Sequence, residues 1–280
     1  MASQAQNIYD DSAFFSAYGT LPRSQHGLSA APEWPELRHM VLGGKLPLSN
    51  SVRALEGHRV LDLGCGYGWF ARWARDNGAA YVQAVDISQN MICRAKQFET
   101  DIKDSQSHLN SSSITEIVFE TGDIESISFS DNRGRGSFNL VYSSLTFHYV
   151  EDLARLYREI HSSLEKGGKL VFSVEHPIYS APIRPGPSWK TLEDGDQERT
   201  IWPLNCYSDE GWRKTSWLGV DGIKKYHRTV ETYVNLLLES GFTLTGFKDW
   251  APSLEDVAEH PEWMDERHRP YFLLISAEKN

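Results

Sequence analysis

The sequence predicts an α/β fold: a doubly wound, mostly parallel sheet of seven strands with one antiparallel strand near the C-terminus. An N-terminal helical extension and an aromatic-rich insert after the fifth strand complete the expectation. Three observations carry it. Strand-patterned and helix-patterned segments alternate from about residue 58 to 175, which implies parallel βαβ units with right-handed crossovers and helices on both faces of one sheet. A turn with glycines at 64, 66 and 68 joins the first strand to the first helix of that alternation. Two further strand patterns close the chain without a clear crossover helix between them, so one of the pair is expected to run antiparallel.

The elements follow in order. Two short helical patterns, DSAFFSAYG and PELRHMVLGG, precede the first strand; the second has Pro35 at its start and Gly43 past its end, the polarity these residues favour. HRVLDLGCG holds a short buried strand, Val60 to Leu63, and GWFARWARDNG a helix closed by Gly78. AAYVQAVDIS is the second strand, and SQNMICRAKQF a helix with Ser88 as its N-cap. The serine-rich SQSHLNSSS reads as a solvated loop. ITEIVFETGDI is the third strand and SFNLVYSSL the fourth, entered through the turn DNRGRG. EDLARLYREIHSSLEKGG sets Leu153, Leu156, Ile160 and Leu164 on one helical stripe that ends at Gly167, and GKLVFSVE is the fifth strand. From about Pro177 to Arg228 no regular pattern is legible, and a structureless segment that long is expected of a functional cover. TVETYVNLLLESG is the last helix, before strands in GFTLTGFKDW and PYFLLISAEK. The chain reads as one domain, with a helical lid over 1–57, a core over 58–175, a cover over 176–228 and a C-terminal helix and strand pair over 229–280.

Composition narrows the functions. The 280 residues, 40% hydrophobic, suffice for one substantial core. No apolar run is long enough for a membrane span, and the first residues lack a secretory pattern. Cys65, Cys93 and Cys206 show no CxxC spacing, which fits a reducing cytoplasm and no metal site. A net charge of −10 disfavours nucleic acid. Among nine tryptophans, Trp189, Trp202, Trp212 and Trp217 crowd into the Pro/Gly-rich insert and suggest a lined pocket, although such a surface is also compatible with a homodimer interface.

The strongest local signal is VLDLGCGYG. Its glycines let the backbone turn sharply and approach a ligand outside the carboxyl ends of the strands. A dinucleotide fingerprint would need a third glycine where Trp69 stands. Asp62, two residues before the turn, suits a ligand bearing an ammonium and a sulfonium better than one bearing phosphates. Asp86 ends the second strand, where a carboxylate accepts both hydroxyls of a ribose.

With these residues, TGDIES after the third strand, and FNLVYSSLTFHYV leading into EDLARLYREIHSSLEKGGKLVFS, the chain resembles the class I S-adenosylmethionine-dependent methyltransferases. Within them it is similar to the small-molecule branch that includes the ubiquinone C-methyltransferases. The resemblance covers roughly residues 58 to 175 and implies a Rossmann-like sheet that binds S-adenosyl-L-methionine. By it, Gly64 and Gly66, with Cys65 between them, approach the methionine part and Asp62 its ammonium. Asp86 holds the ribose, Ile87 and Met91 line the adenine, Asp123 meets the exocyclic amine with Ile124 beside it, and Ser143 lies near the methionine carboxylate. Tyr18 and Arg23 belong to helices that close over the cofactor.

At the acceptor end, His148 follows the fourth strand, and its ordinary pKa near neutrality suits removal of a proton from a phenol or carbon acid. A histidine there also caps helices or satisfies carbonyls, so both readings stand. Glu175 and His176 end the neighbouring strand and are candidates for the acceptor wall, with Tyr179, Trp189 and His227 from the insert. The basic residues of KKYHR suit a carboxylate, and Arg269 is expected to pair with a nearby acid. The leading expectation is methyl transfer to a small organic acceptor, foremost to oxygen of a hydroxyl or carboxylate. N- or C-methylation, an NAD-dependent oxidoreductase and a non-catalytic cofactor-binding protein are the alternatives.

Overall fold

A computed structural model describes residues 6–44, 53–105, 115–128, 137–194 and 197–280. The serine-rich loop expected near residue 110 and the turn DNRGRG lie outside them. Three short helices come first: α1 (Ser12–Tyr18), α2 (Pro22–His26) and α3 (Trp34–Val41). The Asp11 side chain caps α1 by accepting from the N–H groups of Ala13 and Phe14. The alternating core follows as β1 (Arg59–Leu63), α4 (Trp69–Asp76), β2 (Tyr81–Asp86), α5 (Gln89–Ser105), β3 (Ile117–Thr121), β4 (Phe138–Ser144), α6 (Leu153–Ser163) and β5 (Leu164–Glu175). Ser88 Oγ caps α5 by accepting from Met91 N at 3.1 Å.

The segment after β5 is not structureless. It contains α7 (Pro177–Ser180) and two hairpins, β6 (Lys190–Asp194) with β7 (Gln197–Ile201), and β8 (Gly211–Trp217) with β9 (Val220–His227). The hidden pattern has a physical reason. The buried face of the second hairpin carries Arg213, Ile223, Lys225 and His227, so burial alternates along the strands while hydrophobicity does not. Then come α8 (Val230–Glu239), β10 (Phe242–Trp250), the single turn α9 (Leu254–Glu259) and β11 (Phe272–Lys279).

The large sheet has the order β10-β11-β5-β4-β1-β2-β3. β11 runs antiparallel to both β5 and β10, and the remaining neighbours are parallel. Side chains alternate between its two faces. Leu61, Leu63, Phe172 and Ile275 pack with α6 and α8 residues such as Leu156, Tyr157 and Leu237. Val60, Val82, Ala84 and Leu274 pack with Leu37, Phe70, Ala74 and Ile92 from α3, α4 and α5. The strand order reverses between β1 and β4, and their carboxyl ends open a crevice there.

One boundary differs from expectation. α6 stops at Ser163, because Leu164 turns extended and pairs with Phe138 at the start of β4. Lys279 Nζ then donates to the carbonyls of His161 and Leu164 at 2.7 Å each, placing a cation at the helix C-terminus. No helix among the described residues is long and apolar enough to cross a membrane.

Candidate cofactor and acceptor site

A cavity of about 780 Å³ lies over the carboxyl ends of β1, β2, β4 and β5. At its centre is the glycine turn. Gly64 has φ of +74°, and a β-carbon there would collide with the Thr146 side chain, so the position requires glycine. Gly66 has φ of +52° and open space where a side chain would stand. Its N–H donates to Asp86 Oδ2 at 2.8 Å, while Asp86 Oδ1 accepts from Ser88 N at 2.9 Å. The end of β2 is thereby tied to the turn after β1.

Two carboxylates share this end of the cavity, both nearly excluded from solvent. Burial, and then repulsion from Asp86, pushes the pKa of Asp62 up to about 8; burial also raises Asp86 to about 6 against the pull of its two N–H donors. Asp62 Oδ2 is buried without a hydrogen-bond partner among the described residues. An orphaned carboxylate oxygen of this kind fits a cationic ligand group. With the open glycine turn and the ribose-ready Asp86, it makes the donor set fit S-adenosylmethionine. Cys65, Ile87, Met91, Asp123 and Ile124 also line the cavity, Met91 from beneath at the buried start of α5.

The N-terminal extension forms the second wall. Tyr18 lines the cavity in edge contact with Tyr9, Tyr67 and Trp217, and burial lifts its phenol to about 12. Arg23 lines it as well, pairing with Glu33 at 2.5 Å and reaching Ser144 Oγ at 3.4 Å. The extension is anchored by Asp10, whose carboxylate accepts from Ser88 Oγ and Asn90 N, so it sits on the N-terminus of α5. Tyr9, Asp10 and Glu33 had no signal in the sequence, since tertiary contacts across long separations place them.

The remaining expectations divide. His148 lines the cavity, but it is not poised as a neutral-pH base: burial lowers its pKa to about 4, and its Nδ1 accepts from Glu175 N at 3.4 Å. The ring is therefore neutral at pH 7 with its proton on Nε2. Glu175 and Tyr179 line the cavity, and Glu175 pairs with the buried Lys225 at 2.5 Å. Ser143 does not face it. Its hydroxyl donates to Leu63 O at 2.8 Å inside the sheet, and Ser144 is the residue at the cavity.

His176 is also elsewhere: Nδ1 accepts from Ile178 N to cap α7, and Nε2 bonds Asp249 at 2.9 Å. His227 bonds Ser180 Oγ and Tyr207 O, both at 2.8 Å, with no exposure. Trp189 leaves the lining too, joining Trp202, Tyr179 and Tyr271 around the Arg269 guanidinium, which pairs with Glu266 at 3.0 Å. Of the four crowded tryptophans, only Trp212 and Trp217 reach the cavity, and Trp217 meets Phe14 of α1 edge-on.

Comparison with known proteins bears on the family and the fold. A family model described as a methyltransferase domain matches residues 61–172. A solved structure, an S-adenosylmethionine-dependent methyltransferase from Mesorhizobium loti, is 40% identical, covers 90% of this chain and 100% of that one, and superposes with a TM-score of 0.73. A malonyl-[acyl-carrier protein] O-methyltransferase of Erwinia billingiae is 32% identical over 126 residues, 45% of this chain and 42% of that protein. Phosphoethanolamine N-methyltransferase 3 of Arabidopsis thaliana is 29% identical over 133 residues, 48% of this chain and 24% of that protein. Both of these similarities span less than half of the relative.

Proposed function

This chain belongs to the S-adenosylmethionine-dependent methyltransferases, and on that premise we propose that it methylates an oxygen of a small organic acceptor held at the β4–β5 end of the cavity. Family membership removes the dinucleotide oxidoreductase alternative. The cofactor supplies a methyl group made electrophilic by its sulfonium. The chain aligns an acceptor in line with that methyl and excludes water. At the cofactor end, Asp62 would hold the ammonium, Arg23 the methionine carboxylate and Asp86 the ribose hydroxyls. Ile87, Met91, Asp123 and Ile124 would surround the adenine.

The observation that carries the oxygen assignment is the buried Glu175–Lys225 pair beside a neutral His148. A protonated amine or a neutral hydroxyl must lose a proton as it attacks, and this wall offers no free base for that, whereas a carboxylate arrives ionised and needs none. Glu175 is held by Lys225, and His148 presents Nε2–H, a donor. A lysine ammonium and an imidazole N–H instead stabilise an oxygen that arrives anionic.

The test is a screen of hydroxyl, carboxyl and amine compounds for release of S-adenosylhomocysteine, with the methyl position read by tandem mass spectrometry. A methyl ester, or the ether of a hydroxyl acidic enough to arrive ionised, is expected; methylation confined to nitrogen overturns the assignment. His148→Ala is expected to lower turnover at least about tenfold while leaving S-adenosylhomocysteine affinity unchanged.

A further inference from the structure

Glu33 has no place in the sequence expectations, yet it is among the most deeply buried charges of the chain. It stands directly before α3, its side chain is 1% exposed, and it borders the cavity. One oxygen accepts from Arg23 Nη2; the other, Oε2, is buried without a hydrogen-bond partner among the described residues. Stability does not account for such an arrangement. Buried ion pairs are often replaceable by apolar residues without loss, and an unpaired carboxylate oxygen adds a desolvation cost.

The arginine it holds differs in one respect: its side chain keeps 27% exposure where it lines the cavity. A guanidinium carries five donors in one rigid plane. Glu33 and Ser144 engage one terminal nitrogen each, at 2.5 and 3.4 Å, and fix that plane while its remaining donors stay available. Ser144 ends β4, the strand beside β1, so Arg23 reaches the side of the crevice next to the orphaned oxygen of Asp62. An acceptor oxygen and a guanidinium edge flanking one cleft form a receptor for an α-amino-acid zwitterion.

We propose that Glu33 is a positioning residue: through Arg23 it presents a guanidinium edge to the carboxylate of the cofactor's methionine moiety. This rests on the reading of the cavity as the cofactor site. The reason is entropic as much as electrostatic. Arg23 is a long side chain on a five-residue helix, and without a buried anchor its rotamers would be frozen only on binding. Glu33 orders them beforehand, and it does so from the N-terminal extension, so that the amino-acid end is gripped only while the extension is docked.

Calorimetric titration with two ligands tests this. S-adenosylhomocysteine carries the amino-acid end; 5′-methylthioadenosine has the same nucleoside and thioether without it. Glu33→Gln is expected to weaken S-adenosylhomocysteine roughly tenfold and leave methylthioadenosine nearly unchanged. Arg23→Met weakens S-adenosylhomocysteine at least as much, and adding Glu33→Gln to it costs less than about twofold more. Glu33→Asp, which keeps the charge, retains most of the affinity and serves if the glutamine variant folds poorly.

Equal losses for both ligands, no loss, or additive losses in the double variant each overturn the inference. Asp86→Asn separates the two levels of the argument. If it leaves both affinities unchanged, the cofactor-site reading fails; if it weakens both while Glu33→Gln weakens neither, only the role of Glu33 fails.

Discussion

The two ends of the cavity handle charge in opposite ways. Beside β1 and β2, Asp86 raises the proton affinity of Asp62, no cation among the described residues pairs with either, and one Asp62 oxygen has no hydrogen-bond partner among them. Beside β4 and β5, the carboxylate at the wall is already paired. Lys225 pairs with Glu175, and Arg228 donates to the carbonyls of Val150 and Glu151 at 2.8 and 2.5 Å. The first end is a receptor held ready for a cation at a cost to the folded protein. At the second the carboxylate already carries its cation, so the pair orients an acceptor by its field while ring surfaces such as Tyr149 and Trp217 provide contact.

If that contrast is real, removing one charge has opposite consequences at the two ends, and the larger falls at the acceptor end. Lys225→Met leaves Glu175 buried without its cation, an expected loss of about 3–5 kcal/mol, read as a lower Tm or denaturant midpoint. The double variant Glu175→Leu/Lys225→Met recovers most of it. A single variant as stable as the parent would show that water or another cation replaces the lysine, and the wall would not be self-contained.

At the cofactor end the prediction runs the other way and depends on pH. Asp62 and Asp86 have folded pKa values raised to about 8 and about 6, above the ordinary carboxylate value near 4. The folded ligand-free protein therefore binds protons that the unfolded chain has released. Its stability is fully present below pH 4 from these groups and falls as pH climbs towards 8, by at most about 1.4 kcal/mol per unit for each group. Asp62→Asn should flatten the slope between about pH 6 and 8 and make the ligand-free protein more stable there, while weakening S-adenosylhomocysteine. Binding should also release a proton near neutrality, detectable by calorimetry in buffers of different ionisation enthalpy. Parallel Tm–pH curves for parent and variant would show that Asp62 is ionised throughout and already neutralised.

The same contrast explains what could be read from the sequence. The sheet was legible because its strands are continuous apolar runs whose alternate residues meet helices on both faces, as Val60 and Leu61 do. The carboxylates of the cofactor end were legible because strand-end position beside the glycine turn delivers Asp62 and Asp86 to the crevice. Ser143 failed by a single residue: in a strand, neighbours point to opposite faces, and it is Ser144 that reaches the cavity. The acceptor end was poorly legible because position along the chain does not say what a polar group is bonded to. His227 and Lys225 share the buried face of one hairpin, yet the first bonds Ser180 and Tyr207 within the cover and the second reaches the cavity. The pKa of His148, likewise, is set by burial that no neighbouring residue in sequence announces.

The smallest expected effect on chemistry sharpens the boundary between cover and site. His176 follows Glu175 directly, but it faces away: one ring nitrogen caps α7 and the other bonds Asp249, whose side chain is 56% exposed. Burial lowers its pKa, so the ring is neutral at pH 7, accepting at Nδ1 and donating at Nε2. His176→Ala removes a cap and one partly exposed hydrogen bond, an expected loss of about 1–2 kcal/mol in stability. Affinity for S-adenosylhomocysteine should not change, and turnover should fall less than about threefold, because α7 supplies Tyr179 to the lining and shifts only slightly. His176→Asn, which can still cap the helix, should restore about half of the stability. A collapse of turnover at unchanged stability and cofactor affinity would instead bring His176 into contact with the acceptor, and the wall would extend one residue past the end of β5.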